Sequence, residues 1–400
     1  MISTSNQMQS APESKKAAST ASNWGAVFSL GLGCFGLVVA EFLPISLLTP
    51  ISEDLKISAG MAGQTITATA VVAGIAGPLV VITTRGLNRR LTLFGLSFLL
   101  LLSGLLGTVA NSFEFLMLSR VLLGIGLGGF WSMAGAITMR LVPASSVPKA
   151  MAIVFGGVSL ATVVAAPLGA WVGAHFGWRV AFILSAASGL MALVAQIATI
   201  PSLPPSGQAG FGTLVSVFKR PKVMVALFAT IMLVGGQFGS FTYIRPFLEE
   251  IPKFDVNMIS LVLFAYGVAG FIGNFIGGWI MARSTTLSIS IGSALVAVSA
   301  ITLIFAGTNL MVAVVAITLW GLAWGGLPVS IQTHIVRSAP DEAETAGSLM
   351  LLGFQVAISI GAILCGFILD HNGPLGVMTL LAVSMVIGFL TMFSRHSRPA

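Results

Sequence analysis

Two ionisable residues sit where a charge is costly. Glu41 lies within Val39-Ala40-Glu41-Phe42-Leu43-Pro44, and Arg120 within Leu118-Ser119-Arg120-Val121-Leu122. Both strings belong to long apolar runs, and charges inside such runs are functional candidates by default. Burial favours a protonated carboxyl, whereas a nearby guanidinium favours the ionised form. A carboxyl whose water access or distance from an arginine changes can therefore load and release a proton. That makes Glu41 and Arg120 a candidate proton-coupling pair. A structural ion pair, or an arginine stretching to the interface, is the competing reading.

A second set is polar or aromatic but uncharged, apart from one arginine. Gln64, Trp131, Gln237, Tyr243 and Arg245 all fall in or at the ends of apolar runs. Amides and aromatic faces suit a planar, hydrogen-bonding, largely uncharged ligand. These five are expected at a substrate site or a gate. Arg245, in Phe241-Thr242-Tyr243-Ile244-Arg245-Pro246, reads equally as a helix-end anchor beside Glu249 and Glu250.

The elements that hold these groups follow from composition. Only 8% of the 400 residues are charged and 56% are hydrophobic. A soluble domain carries roughly a quarter charged residues, so this chain lacks the charge to cover a water-facing surface. Twelve stretches are long and apolar enough to span a bilayer. They fall at 25–49, 61–83, 91–110, 114–138, 149–173, 179–199, 223–246, 257–282, 286–306, 310–335, 345–369 and 374–393. Turn chemistry separates them, as at Pro50, Asn88-Arg89-Arg90, Pro143 and Asn372-Gly373-Pro374. The lack of ~10-residue alternation argues against a β-barrel. The fold class is all-α integral membrane.

The positive-inside bias orients the spans. With the N-terminus inside, fourteen Lys and Arg fall in cytoplasmic segments and four (Lys56, Arg179, Arg245 and Lys253) in outer ones. Both termini are expected in the cytoplasm. Glu41 then lies ~12 Å and Arg120 ~9 Å below the outer end of their spans, at 1.5 Å per residue. The first 23 residues lack an apolar segment and read as a cytoplasmic tail, not a signal peptide. Trp24 and Trp178 sit near span ends, as interfacial anchors do, and His334 is expected at the inner interface.

The two halves repeat. A shift of 197 pairs Gly124 with Gly321, Gly128 with Gly325, Arg140 with Arg337 and Pro143 with Pro340. A shift of 193 pairs Gly74 with Gly267 and Gly77 with Gly270. The expected organisation is a tail at 1–23, a six-helix bundle at 24–199, a linker at 200–222, a second bundle at 223–393 and a tail at 394–400. Related halves suit a transporter with two alternating states.

Other classes find little support. The net charge of +7 comes from singly scattered bases, so no nucleic-acid partner is expected. No Gly-Lys-Ser/Thr phosphate loop occurs. The four histidines and two cysteines form no metal-ligand spacing. No cofactor, no metal and no catalytic residue are expected, and the chain does not read as an enzyme. Cys34 and Cys365 are expected as core residues.

The motifs resemble the major facilitator superfamily, and within it the twelve-helix drug/proton antiporter branch. Arg120-x-x-x-Gly124-x-Gly126-x-Gly128 is similar to that branch's fourth-helix motif, whose arginine is implicated in proton transfer. Ala165-Ala166-Pro167-Leu168-Gly169 resembles the fifth-helix antiporter motif, with Ala166 where Gly is usual. In the loop after the second span, Thr83 to Arg90 keeps the family's basic end but not its Asp. Glu41 to Pro50, Ala62-Gly63-Gln64, Gly128 to Met133, Thr138 to Pro143 and Gln237 to Pro246 resemble the branch's nucleoside exporters. The resemblance implies two pseudo-symmetric six-helix bundles. It also implies a monomeric carrier that exchanges protons for purine ribonucleosides such as inosine and guanosine. Sugar or multidrug efflux by the same frame is the alternative.

Overall fold

The computed structural model describes residues 23–204 and 216–392. Both expected tails, apart from Asn23, and the centre of the expected linker lie outside those residues. The first half contains α1 (Trp24–Phe42), α2 (Leu48–Leu55), α3 (Ala59–Thr83), α4 (Arg89–Thr108), α5 (Phe113–Leu141), α6 (Val147–Phe176) and α7 (Trp178–Thr199). The second contains α8 (Pro221–Thr242), α9 (Ile244–Glu250), α10 (Val256–Arg283), α11 (Thr285–Ala306), α12 (Leu310–Gly325), α13 (Leu327–Ser338) and α14 (Ala343–Thr391). Helix starts are written locally. Asn23, Ser58, Asn88, Ser112, Asp255, Ser284 and Asn309 each accept a hydrogen bond from a first-turn N–H, which satisfies donors a helix leaves open.

Eleven continuous apolar stretches among the described residues are long enough to cross a membrane. The last of them is two spans. Gly373, at φ 72°, breaks α14 just before Pro374, so the stretch contains the expected eleventh and twelfth spans.

Two expected boundaries move. The first span does not end at Pro50. A 3₁₀ turn at Leu43–Leu47 carries the chain from α1 into α2, and the path stays helical to Leu55. Pro50 is tolerated because it is the third residue of α2, where an N–H has no helical partner in any case. The turn comes instead at Lys56, which is left-handed with φ 56°. Similarly, the seventh span breaks at Tyr243 and restarts as α9.

The repeat is visible in three dimensions. Gly128 of α5 lies against the carbonyl of Ala73 on α3, so closely that a Cβ there would collide with it. Gly325 of α12 lies in the same way against Gly270 of α10. Gly124 meets the Thr69 carbonyl, and Gly321 meets the Tyr266 carbonyl. All of these residues pair at a spacing of 197. The left-handed turns at Lys56 and Lys253 and the caps Ser58 and Asp255 share it. This corrects the spacing of 193 expected for Gly74 and Gly77: Gly270 corresponds to Ala73. Small residues let helices approach where no hydrophobic drive exists, and here they fix the same joint twice. The end carrying Lys56 and Lys253 is called the outer end, after the charge asymmetry.

Candidate transport site and outer seal

The break in the first span begins with a missing donor. Pro44 has no N–H, so the Ala40 carbonyl one turn before it has no helical partner. Arg120 fills that place. Its Nη1 donates to the Ala40 carbonyl at 3.0 Å and its Nη2 to Ser119 Oγ at 3.0 Å. The guanidinium also lies 4.8 Å from the Phe182 ring centre, a cation–π contact. Arg120 is 1% exposed.

Glu41 is the next residue along and is half-buried. Among the described residues its carboxyl has neither a hydrogen bond nor an ion pair. The expected pair is therefore not a salt bridge. Arg120 holds the backbone beside Glu41 and leaves the carboxyl unoccupied.

Across the midline the second half presents rings. Phe42 meets Phe238 of α8 at 5.9 Å between centroids, and Phe238 meets Trp324 of α12 edge-on at 5.9 Å. All three are half-buried. Behind them lies a buried polar knot. Gln237 donates from Nε2 to Tyr266 Oη at 2.7 Å and accepts from Trp320 Nε1 at 2.6 Å. Phe241 stacks on Tyr266 at 4.6 Å. Gln237 is 2% exposed. Its carbonyl oxygen and one N–H are already engaged, so its role visible here is to hold the ring wall rigid. Trp131 is half-buried and stacks on Phe155 at 5.8 Å.

The other predicted residues gather at the outer end. Arg245 of the other half donates from Nη1 to the Ser46 carbonyl. Arg245 Nε donates to Glu249 Oε1 at 2.7 Å, and Glu249 Oε2 accepts from Thr49 Oγ1 at 2.5 Å. Tyr243 is fully buried, with its hydroxyl 3.2 Å from the Gly60 carbonyl and 3.0 Å from that of Ala362. Gln64 is one turn below Gly60 on α3 and approaches its carbonyl at 3.4 Å. Tyr243 and Arg245 thus close the outer end. Their polar groups are committed to these contacts between the halves.

Two sequence expectations change on burial and one does not. Trp178 is 4% exposed, donates to Asp54 Oδ2 at 3.2 Å and packs edge-on against Phe182, so it is no lipid anchor. His334 is buried, with Nδ1 3.0 Å from Thr285 Oγ1, and is not interfacial. Cys34 and Cys365 are free and buried, as core residues should be. Sequence reasoning passed over Phe42 and Phe238, because one phenylalanine among 26 carries no signal of its own.

Helical halves related by a repeat, joined at a midline site and sealed at one end, define a secondary-transporter architecture. A family model described as Major Facilitator Superfamily matches residues 28–362, and the chain belongs to that superfamily. Among curated relatives, the Purine ribonucleoside efflux pump NepI of Salmonella enteritidis is 40% identical over 373 residues, covering 93% of this chain and 94% of the relative. The NepI of Salmonella typhi matches with the same identity and coverage. A solved structure shares the fold with a TM-score of 0.71 at 18% identity, covering 92% of this chain and 94% of that one. It is a bacterial homologue of the human lysosomal transporter Spinster, in an inward-facing and unoccupied conformation. The protein is a multi-pass membrane transporter of this superfamily.

Proposed function

We propose that the chain exports purine ribonucleosides such as inosine and guanosine in exchange for protons, by alternating access across a bacterial inner membrane. It works as a monomer with both termini in the cytoplasm and without a cofactor. One juxtaposition carries the reading. The unpartnered carboxyl of Glu41 is followed directly by Phe42, which begins the ring series Phe42–Phe238–Trp324 across the two halves. A planar base stacks on such rings with little demand on its substituents, and the adjacent carboxyl is free to exchange a proton. The 40% identity to nucleoside efflux pumps supports this cargo.

The cycle follows from the parts. A nucleoside from the cytoplasm enters between the halves while the outer seal is closed. The halves rock, the seal parts and the cargo leaves. A proton arriving from outside on Glu41 neutralises the carboxyl, the empty carrier returns, and the proton leaves Glu41 to the cytoplasm as the next nucleoside binds. Arg120 keeps the Ala40–Pro44 break in shape throughout, so Glu41 stays at one depth. Purified protein in liposomes, challenged with inosine, arabinose and a lipophilic drug under an imposed pH gradient, tests the reading. Inosine-dependent proton flux is expected. Flux with arabinose alone, or with the drug alone, would move the cargo to sugars or drugs.

A further inference from the structure

The outer seal contains a residue that the mechanism above does not use. Asp370, on α14, reaches across to the start of α3 in the other half. Its Oδ1 accepts from the Gly60 N–H at 3.0 Å, and its Oδ2 accepts from Ser58 Oγ at 2.7 Å. Ser58 is the N-cap of α3, and its Oγ accepts from the Met61 N–H in turn. A helix N-terminus has open N–H donors and partial positive charge. Asp370 therefore adds a second, charged cap to α3, supplied from the opposite half. The fit is tight: a Cβ on Gly60 would strike the Asp370 carboxylate.

The inner end of α3 is built differently. The loop from Thr83 to Arg90 holds no acid, and among the described residues its polar contacts stay within its own half. Asn88 donates to Ser202 Oγ and accepts from the Leu203 N–H, Arg89 donates to Thr84 and Arg90 donates to the Ile197 carbonyl. One helix thus has a charged cross-half cap at its outer end and self-contained wiring at its inner end. Hydrogen bonds to ionised groups are about twice as strong as neutral ones, so the cap weights the form closed at the outer end.

The geometry points to Asp370 as a positioning residue for transport: the catch that keeps the empty carrier closed on the outside. It touches neither cargo nor Glu41. It acts by tying α3 to α14, so outward opening must first break the charged cap. The inference rests on the alternating-access reading.

The test is a distance measurement between spin labels at E53C and T308C, in full-length protein reconstituted in liposomes with Cys34 and Cys365 replaced by Ser. Glu53 and Thr308 are exposed at the outer end of opposite halves. Substrate-free wild type should give one dominant short distance. D370A should add a longer component and raise the open-to-closed ratio by about tenfold or more. D370N, which still accepts from Gly60, should fall between them. S58A removes one hydroxyl only and should shift the ratio less than D370A. If D370A does not fold, S58A and D370N carry the test. Wild-type distances that never change with inosine or pH would defeat alternating access itself. Wild type that switches, with resting distributions of the variants identical to its own, would overturn the catch and leave alternating access standing.

Discussion

The two halves share a backbone frame and differ in what they place on it. Gly128 on the Ala73 carbonyl and Gly325 on the Gly270 carbonyl are the same joint made twice. One spacing of 197 also superposes Arg120 on Ile317, and both are buried. In the first half that position carries a guanidinium that donates to the carbonyl of Ala40, the residue next to the free carboxyl of Glu41. In the second half the ionic position is aliphatic, and the nearby interior is a knot of Gln237, Tyr266, Trp320 and Phe241. The repeat therefore conserves packing and divides the side chains placed on it: a buried guanidinium and a free carboxyl on one side, a rigid ring wall on the other.

Several outcomes would break or sharpen that division. The largest effect concerns the shared frame. Gly128→Val and Gly325→Val each drive a side chain into a facing backbone, so each should abolish the monodisperse peak on size-exclusion chromatography. If only one half were intolerant, the frame would not be equivalent. Next comes the ring wall. Trp324→Ala or Phe238→Ala should weaken inosine binding by about 1–3 kcal/mol, the usual worth of one base–aromatic stack, as measured by scintillation proximity. Proton binding by the empty carrier should persist. Removing Arg120 tests the ionic half. Arg120→Leu leaves the Ala40 carbonyl without a donor and should cost roughly 1.5–3 kcal/mol of stability, visible as a lower melting temperature, whereas Ile317→Leu should cost little.

The smallest effect lies outside the membrane. Arg220 and Asp341 form a bidentate pair at 2.6 and 2.7 Å. The hydrogen bond from Arg220 holds the Asp341 carboxyl below its ordinary range. A depressed carboxylate contributes stability above its unfolded pKa and loses it only as pH falls through the folded one. Both groups are solvent-exposed and screened, so Asp341→Asn should lower the melting temperature only slightly at neutral pH, and the difference from wild type should vanish as pH falls below the carboxylate range.

How much of this was written in the sequence depends on the kind of information. Spans, their number and the paired halves were legible, because each rests on local composition or on repeated glycines. The intramembrane charges were legible as outliers. Their partners were not. Nothing in the string around Arg120 says that its target is a carbonyl stripped of its donor by Pro44. Pro50 looked like a break because Ser-Glu-Asp follows within four residues, yet its place in the first turn of α2 makes it harmless. Tyr243 and Arg245 were visible as polar outliers, but only tertiary contact with Gly60 and Ser46 shows them as a seal. Asp370 reads as an ordinary loop acid before Asn372-Gly373-Pro374, since its importance lies entirely in a helix 310 residues away.

The central claim is that Glu41 couples transport to protons while the ring wall alone holds the cargo. Inosine transport by Glu41→Gln in liposomes tests it most directly, with an imposed pH gradient in one arm and inosine–inosine counterflow at equal pH in the other. The account predicts counterflow near the wild-type rate and loss of gradient-driven accumulation by at least ~100-fold, equivalent to about 2.7 kcal/mol. Gradient-driven accumulation that survives in Glu41→Gln would contradict it.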